Sequence, residues 1–528
     1  MLGRGEWETS MGSAGFIEPN LKDERLGHAR DYAMLVAGAD HVSATRETIE
    51  RETPGHSGFV IARFPRGTAE DVDAAVKAAR KAFDVGPWPL MPAVERSRAM
   101  MRVAALLEKH REELATIESL EAGKPITQAR NEIGGCVDLW EYAAGQVRGL
   151  HGEAHTNLGP DVVAMVIREP VGVVGVITPW NFPIIIACER IPWVIGAGNT
   201  MVMKPSEFTS GTTLRLAALI REAGVPHGVV NVVTGYGDPV GDALTRHPGV
   251  DMVSFTGSLK VGRLVGAVTA ATVKRVGLEL GGKGPQVIFA DADLDDAADG
   301  AAFGLLFNNG QCCISGSRLI VHRSIAEDFL ARLTKLSSRV TFGDPLNEKT
   351  MVGSIINTSQ IDKIAGYVQQ GRAAGAQLLT GGSRMGEGMG LYFEPTIFAK
   401  VAPTMAIAKE EIFGPVLSVL TFDAPEEAVR LANGTEYGLS ASVWTRDIGL
   451  GLGTIQKIRA GKTWINGVIA SYPEVPLGGY KQSGNGRETG KYGFDQYSEF
   501  KTVHALYGKR DPWIKPDGGL RMPEIAEG

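Results

Sequence analysis

The chain has 528 residues, 44% of them hydrophobic and 22% charged, with 54 basic against 60 acidic residues and a net charge of −6. That length exceeds what one small core serves, so two or more domains are expected, and the charge balance gives no reason to expect nucleic acid or an anionic membrane surface as partner. Four cysteines, Cys136, Cys188, Cys312 and Cys313, argue against a disulfide scaffold and suit a reducing cytoplasm.

The N-terminal stretch lacks the apolar core of a secretory signal, and no uncharged apolar run reaches membrane-spanning length. The first thirty or so residues are polar and irregular and read as a loosely held arm. From Ala69 the run AEDVDAAVKAARKAF carries apolar residues at helical spacing, with Thr68 as its N-cap. The next run, VERSRAMMRVAALLEKHREELATIESLEAG, predicts one long helix ending near Gly123, and DVVAMVIREP near 161–170 reads as an extended ribbon. VVGVITPW (Val173–Trp180) and NTMVMKP (Asn199–Pro205) are short apolar runs bounded by Pro and Gly, the pattern of buried strands. TTLRLAALIREAG is an amphipathic helix closing on Gly224. GVVNVVTG and VDMVSFTG predict two more strands, followed by helical SLKVGRLVGAVTAAT.

This alternation between 170 and 280 predicts a parallel sheet with helices on both faces. A second alternating region runs from Gly284 to Gly467, with its own strands RLIVH and GPVLSVLTF, and the last twenty residues read as a tail.

Several short segments could carry chemistry. GAGNTM and GYGDPVG echo a dinucleotide fingerprint without completing it and read as tight turns, whereas FTGSLKVG ends a strand and opens a helix whose free N–H groups could face a pyrophosphate. Glycine-containing strand–helix turns are common, so the local sequence leaves that role open. Lys204 and Glu207 in MKPSE follow another strand; an acidic residue there suits a ribose diol if a nucleotide lies at the strand ends. HGEAH, from His151 to His155, mimics a zinc motif with its glutamate misplaced, and the Cys312–Cys313 pair has no further ligands nearby, so no metal site is expected. Adjacent cysteines are also poorly placed to bridge each other. A buried structural thiol or a nucleophile remains. Glu279, in the apolar, glycine-rich GLELGGKGP, could serve as a base, and Asn181, between the prolines of TPWNFP, as an amide donor.

Taken together, TPWNFP, MKPSE, FTGS, LELGGK, GQCCISGSR, EEIFGPV, YGLSASVWTRD, WING and PLGGYKQSGNGRE resemble, in order and spacing, the NAD(P)-dependent aldehyde dehydrogenase superfamily of hydrolytic, non-acylating type, over roughly residues 30 to 507. The resemblance implies an α/β fold: a Rossmann-type NAD-binding domain (30–150 and 170–281), an α/β catalytic domain (282–481), a small β-ribbon for oligomerisation (151–169 and 482–507) and terminal arms (1–29 and 508–528). It implies a nucleophile at Cys313, a general base at Glu279, an oxyanion amide at Asn181 and a proton relay at Glu488. For the cofactor, NAD, it implies Trp180, Lys204, Ser206, Glu207, Gly257, Ser258, Glu411 and Phe413. For the substrate pocket it implies Phe182, Ile186, Glu189, Cys312, Ile314, Ser471, Tyr472 and Leu477.

The implied activity is NAD-dependent oxidation of an aldehyde to the acid through a cysteine thioester, in a cytoplasmic homodimer or homotetramer. Acylating relatives, which pass the thioester to coenzyme A, generally lack the glutamate that Glu279 provides, so hydrolysis is expected. A non-catalytic, NAD-binding member would have lost Cys313 or Glu279, and both are present. The sequence departs from the family pattern at Ser315, at Leu259 after FTGS, and at Glu189 and Ser471, where the family often has aromatics. Either Glu189 and Arg190 pair structurally, or the pocket is polar and favours a small polar or charged aldehyde.

Overall fold

The computed structural model describes residues 15–509 and 512–521; residues 1–14, 510–511 and 522–528 of the two expected arms lie outside the described residues. Two open sheets organise the chain. The first contains β1 (Met34–Val36), β2 (Ala39–His41), β3 (Val173–Ile177), β4 (Thr200–Lys204), β5 (Val230–Val232), β6 (Met252–Thr256) and β7 (Arg275–Glu279). The second contains β8 (Pro285–Ile288), β9 (Arg318–His322), β10 (Gln377–Thr380), β11 (Thr396–Ala399), β12 (Val416–Phe422), β13 (Ser440–Trp444) and β14 (Lys462–Ile465). The short β15 (Gly484–Asn485) then returns to the edge of the first sheet.

The first sheet runs β15-β7-β6-β3-β4-β5-β1-β2, parallel from β7 to β5 and antiparallel at both ends. After β3 the chain lays β4 and β5 on one side and β6 and β7 on the other. That reversal opens a crevice at the carboxyl ends of the strands, where ligands of such sheets sit. The second sheet runs β10-β11-β12-β9-β8-β13-β14 and is parallel except for β10.

Alternation along the strands divides the core of the first sheet. Val174 and Val176 face one cluster, with helices Ala93–Lys109, Ile126–Val147 and Gly211–Glu222. Val173, Val202 and Val253 face another, with helices Ala69–Asp84 and Leu259–Ala270. Each fully buried aliphatic side chain is worth about 1.5–3 kcal/mol, so burying both faces fixes the register of the strands that carry the site. Thr68 caps the helix Ala69–Asp84 as expected, in a capping box with Asp71.

Two expectations differ from the structure. The helix read through to Gly123 is two helices, Ala93–Lys109 and Arg111–Ala122, broken at His110. His110 leaves helical geometry at ψ 19° and its ring is held by Glu113 at 2.9 Å and Arg215 at 3.1 Å. This tie to a distant helix is invisible to local periodicity. The segment before residue 30, read as loose, includes Phe16–Ile17, which pair in parallel with Phe342–Gly343. The extended run near 161–170 is the strand Val162–Pro170, paired antiparallel with Ser498–Leu506 and with Glu153–His155. No helix among the described residues is long and apolar enough to cross a membrane.

Candidate active site

Four strands of the first sheet end at one cavity of about 800 Å³. After β3 comes Thr178–Asn181, after β4 Ser206 and Glu207, after β6 Gly257 and Ser258; β7 ends on Glu279 itself. The second sheet's side contributes Cys313, Gln360, Lys363, Glu411 and Phe413 to the same wall. Of the residues singled out from sequence, Trp180, Asn181, Ile186, Lys204, Ser206, Glu207, Gly257, Ser258, Glu279, Cys313, Glu411 and Phe413 thus line one space.

The Cys313 turn is held by its neighbours. Asn308, Asn309 and Gly310 take consecutive left-handed conformations, with φ 51°, 60° and 71°. Asparagine tolerates this region because its short side chain bonds nearby backbone, and glycine has no Cβ to clash. A Cβ on Gly310 would lie 2.3 Å from the carbonyl carbon of Gly414. The Asn308 amide donates to the backbone carbonyls of Asn181, at 2.8 Å, and Gln311, at 3.0 Å. Asn309 bonds Gly123, Ser354 and Gly353, and the Gln311 side chain accepts from Ile356 N–H.

Asn181 itself donates one amide hydrogen to the Gln311 carbonyl at 2.9 Å; a primary amide has a second to offer. The backbone N–H of Cys313 has no partner among the described residues. On the opposite side the chain passes so close that a Cβ on Gly282 would lie 2.3 Å from the Cys313 carbonyl oxygen. Ser315 turns its hydroxyl away, to the Gly304 carbonyl at 2.7 Å, and so ties the turn to the helix Leu294–Leu306. Contact with Cys312, then burial, hold the Cys313 thiol well above its usual pKa.

Two glutamates nearby sit in opposite surroundings. Glu279 is buried, and its Oε1 has no hydrogen-bond partner. Burial pushes its pKa well up; Arg190 opposes this, while the charges of Glu488, Cys313 and Glu189 add to it. Glu488, 1% exposed, does not line the cavity. It accepts hydrogen bonds from Tyr497 at 2.9 and 3.0 Å, Gln496 at 2.9 Å and Ser254 at 3.2 Å. Arg190 donates to Glu189 and to the Thr256 hydroxyl, both at 2.8 Å, and lies 3.6 Å from Glu488. Thus the structural alternative weighed for Glu189 holds: its carboxylate is engaged by its neighbour.

The far end of the cavity offers the donor set of a dinucleotide. Lys204 Nζ lies 3.7 Å from Glu207, a donor and an acceptor side by side, as a ribose diol requires. Ser258 caps the helix Leu259–Ala270, with its hydroxyl accepting from Val261 N–H, so the helix N-terminus faces the cavity. Nearer Cys313, Glu411 accepts from Gly282 N–H at 2.8 Å, and burial raises its pKa. Trp180 and Phe413 meet edge to face at 5.3 Å. Phe413 is held at φ 61° by Gln360, which donates to its carbonyl at 2.7 Å. No motif singles out Gln360 or Lys363, which reach the cavity from the helix Thr358–Ala373.

On the other side of the thiol, Phe182, Ile186, Cys312 and Ile469 form one apolar cluster, with Ile314 and Phe307 packed against it. Phe182 stacks on Phe307 at 5.7 Å. Ile469 and Phe307 were not singled out from sequence. Ser471 contacts the Lys462 ammonium, Tyr472 is 66% exposed, and Leu477 pairs its backbone with Glu488; these three form a rim and frame rather than the apolar wall.

The sequence model of the aldehyde dehydrogenase family matches residues 41–503. An NAD-dependent aldehyde dehydrogenase from Sinorhizobium meliloti, known from its crystal structure, is 59% identical with a TM-score of 0.95, covering 95% of this chain and 100% of that one. The mitochondrial benzaldehyde dehydrogenase of Antirrhinum majus is 40% identical over 97% of this chain and 95% of its own. A betaine aldehyde dehydrogenase from Staphylococcus aureus, solved in complex with NAD+, is 36% identical with a TM-score of 0.89, over 92% of this chain and 97% of that one.

Proposed function

This chain belongs to the aldehyde dehydrogenase family and oxidises aldehydes with NAD, and from that premise we propose that Cys313 is the nucleophile, Glu279 the general base and Asn181 the oxyanion donor. The observation that carries this reading is the convergence of Cys313, Asn181 and the unpaired Glu279 carboxyl on one cavity wall.

Because its pKa is held high, the Cys313 thiol first gives its proton to the Glu279 carboxylate, which passes it on before hydrolysis; Sγ then adds to the aldehyde carbon, and the carbonyl electron pair moves onto oxygen. The free amide hydrogen of Asn181 and the Cys313 backbone N–H stabilise that oxyanion; one such donor is worth about 3 kcal/mol. NAD, when bound, supplies the acceptor for the hydride that leaves the same carbon, and a thioester on Cys313 remains. Glu279, as carboxylate, takes a proton from water as the water oxygen attacks the thioester carbon. The C–S bond then breaks, releasing the acid and the thiolate. A raised pKa fits Glu279 for this task, because a base works best when its pKa lies near the working pH. Glu488 lies beyond Arg190 and does not reach the cavity; its place is to receive or return protons through that cluster.

Lys204, Glu207 and Ser206 hold the adenosine end of NAD. Gly257 and Ser258, at the helix N-terminus, take its pyrophosphate with Trp180 beside them. Glu411 and Phe413 flank the nicotinamide riboside. The active unit is a homo-oligomer, and the ribbon of Val162–Pro170 and Ser498–Leu506 supports that reading through its free edge, a template for a second copy. The apolar cluster beside Cys313 suits a short hydrocarbon linker next to the aldehyde, with polar substrate groups carried beyond it.

The test is NADH formation by the purified protein across a panel of aldehydes without coenzyme A, with Cys313→Ala alongside. Turnover by wild type that disappears in the variant is the expected result. Thioester transfer that requires coenzyme A would overturn the hydrolytic reading.

A further inference from the structure

Against the Cys313 turn, outside the cavity lining, lies a buried charged cluster that the chemistry above does not use. Lys124 and Glu118 are fully buried, and Glu132 is 6% exposed. The Lys124 ammonium donates to Glu118 at 2.9 Å and to Glu132 at 2.5 Å, and it sits 4.7 Å over the ring of Phe182. Gln128 and Glu132 lie one turn apart on the helix Ile126–Val147, and the Gln128 amide donates to Glu132 at 2.8 Å. With its nitrogen so committed, Gln128 turns its oxygen to the Asn308 N–H, at 3.1 Å. None of the four residues lines the cavity.

Stability alone does not account for such a cluster, because two carboxylates and an ammonium are costly to desolvate and apolar side chains of equal volume often serve as well. What apolar side chains would not supply is an oxygen for Asn308 N–H, where the chain leaves the helix Leu294–Leu306 and enters its left-handed turn. The contacts reach Asn181 from two directions. Asn308 bonds the Asn181 carbonyl, and Phe182, under the ammonium, follows Asn181 directly and stacks on Phe307. Glu132 fixes the orientation of Gln128, and Lys124, shared with Glu118 of the helix Arg111–Ala122, fixes Glu132.

We infer that Gln128, anchored through Glu132 by Lys124 and Glu118, is a positioning residue that holds the Cys313 turn in register with Asn181. It acts through Asn308 and touches neither substrate nor cofactor. The inference rests on Cys313 as the nucleophile and Asn181 as the oxyanion donor.

The experiment compares wild type, Gln128→Met and the exchange Gln128→Glu with Glu132→Gln. Methionine keeps the volume and loses the acceptor. The exchange returns one oxygen to Asn308 N–H and another to Lys124, with an amide hydrogen between them. For Gln128→Met, kcat for aldehyde oxidation is expected to fall about ten- to a hundredfold, with KM for NAD unchanged; the exchange recovers most of kcat. In parallel, acylation of Cys313 by p-nitrophenyl acetate without NAD is followed by mass spectrometry. It needs the thiol and the oxyanion donors but no hydride acceptor, and it is expected to slow by a similar factor in Gln128→Met. Unchanged kcat and acylation in Gln128→Met overturn the inference and leave the reaction intact. So does a loss that the folded exchange fails to recover, or one matched by an equal rise in KM for NAD, the mark of general loosening. If the exchange does not fold, the split between kcat and KM in Gln128→Met decides alone. Aldehyde oxidation that survives Cys313→Ala overturns the reaction reading instead, while slowed acylation of Cys313 in Gln128→Met still supports the positioning role.

Discussion

The turn that presents Cys313 and the segment from Gly467 to Leu477 are built on opposite terms. From Asn308 to Gln311 every side-chain amide is spent on backbone partners in three other parts of the chain, and the backbone is packed against Gly414. From Gly467 to Leu477 the side-chain ties are fewer: the Lys462–Ser471 contact, the Ser471 hydroxyl on the Ile469 carbonyl, the Trp464 indole on the Ala470 carbonyl and the Thr489 hydroxyl on the Val475 carbonyl, while the Tyr472 and Val475 side chains stand in solvent. The difference teaches where rigidity is needed. Misplacing a nucleophile by a fraction of an ångström costs rate directly, whereas a rim that sorts substrates can change its residues without disturbing the reaction.

Substitutions can break or sharpen this contrast. The largest effect is expected for Cys313→Ala: NADH formation falls by about ten-thousandfold or more, with the melting temperature essentially unchanged, because a small side chain leaves and no hydrogen bond of the turn is lost. Glu279→Gln follows, with hydrolysis of the acyl-enzyme slowed by roughly 10²–10⁴-fold. Its pH profile carries the sign. Glu279 accepts a proton only as carboxylate, and its pKa lies well above the ordinary value. Wild-type hydrolysis therefore rises with pH through a limb above the usual carboxylate range, and the variant lacks that limb. Stopped-flow measurement of acylation and deacylation with an activated ester separates the two steps.

Asn308→Ala tests the rigid side most directly. It removes the donors to Asn181 and Gln311 and leaves alanine at φ 51°, so about 2–3 kcal/mol of stability is lost and kcat falls by roughly 10²-fold. Asn308→Gly relieves the backbone strain alone; if it restores stability but not kcat, the amide is what positions the site. The smallest effect belongs to the rim, where Tyr472→Ala is expected to change stability by about 0.5 kcal/mol or less. A large fall in kcat from that change would erase the contrast between the two regions.

Much of this was legible before any coordinates. Four of the five parallel strands of the first sheet announce themselves as short apolar runs closed by Gly or Pro, with cavity residues just beyond them, whereas Arg275–Glu279 carries no such run and was not read as a strand. Glu189 and Arg190 were legible only as alternatives, because a sequence does not say which way a carboxylate turns. Three features left no local trace. His110, at the break between two helices, is tied to Arg215, a hundred residues away. Gln360 and Lys363 reach the cavity from a helix whose own pattern says only that one face is buried. Lys462 opens a strand in which it reads as an ordinary boundary lysine, and only folding sets it beside Ser471.

The return of β15 to the first sheet also sets an order in time. A ribosome delivers β7 and Glu279 long before Gly484–Asn485, which cover the open edge of β7, and before Glu488 just beyond. A nascent chain therefore carries β7, with Glu279 at its end, as an uncovered edge until Gly484–Asn485 emerge. A chain cut short before β15 would present β7 as a bare edge, ready to pair with whatever strand it met.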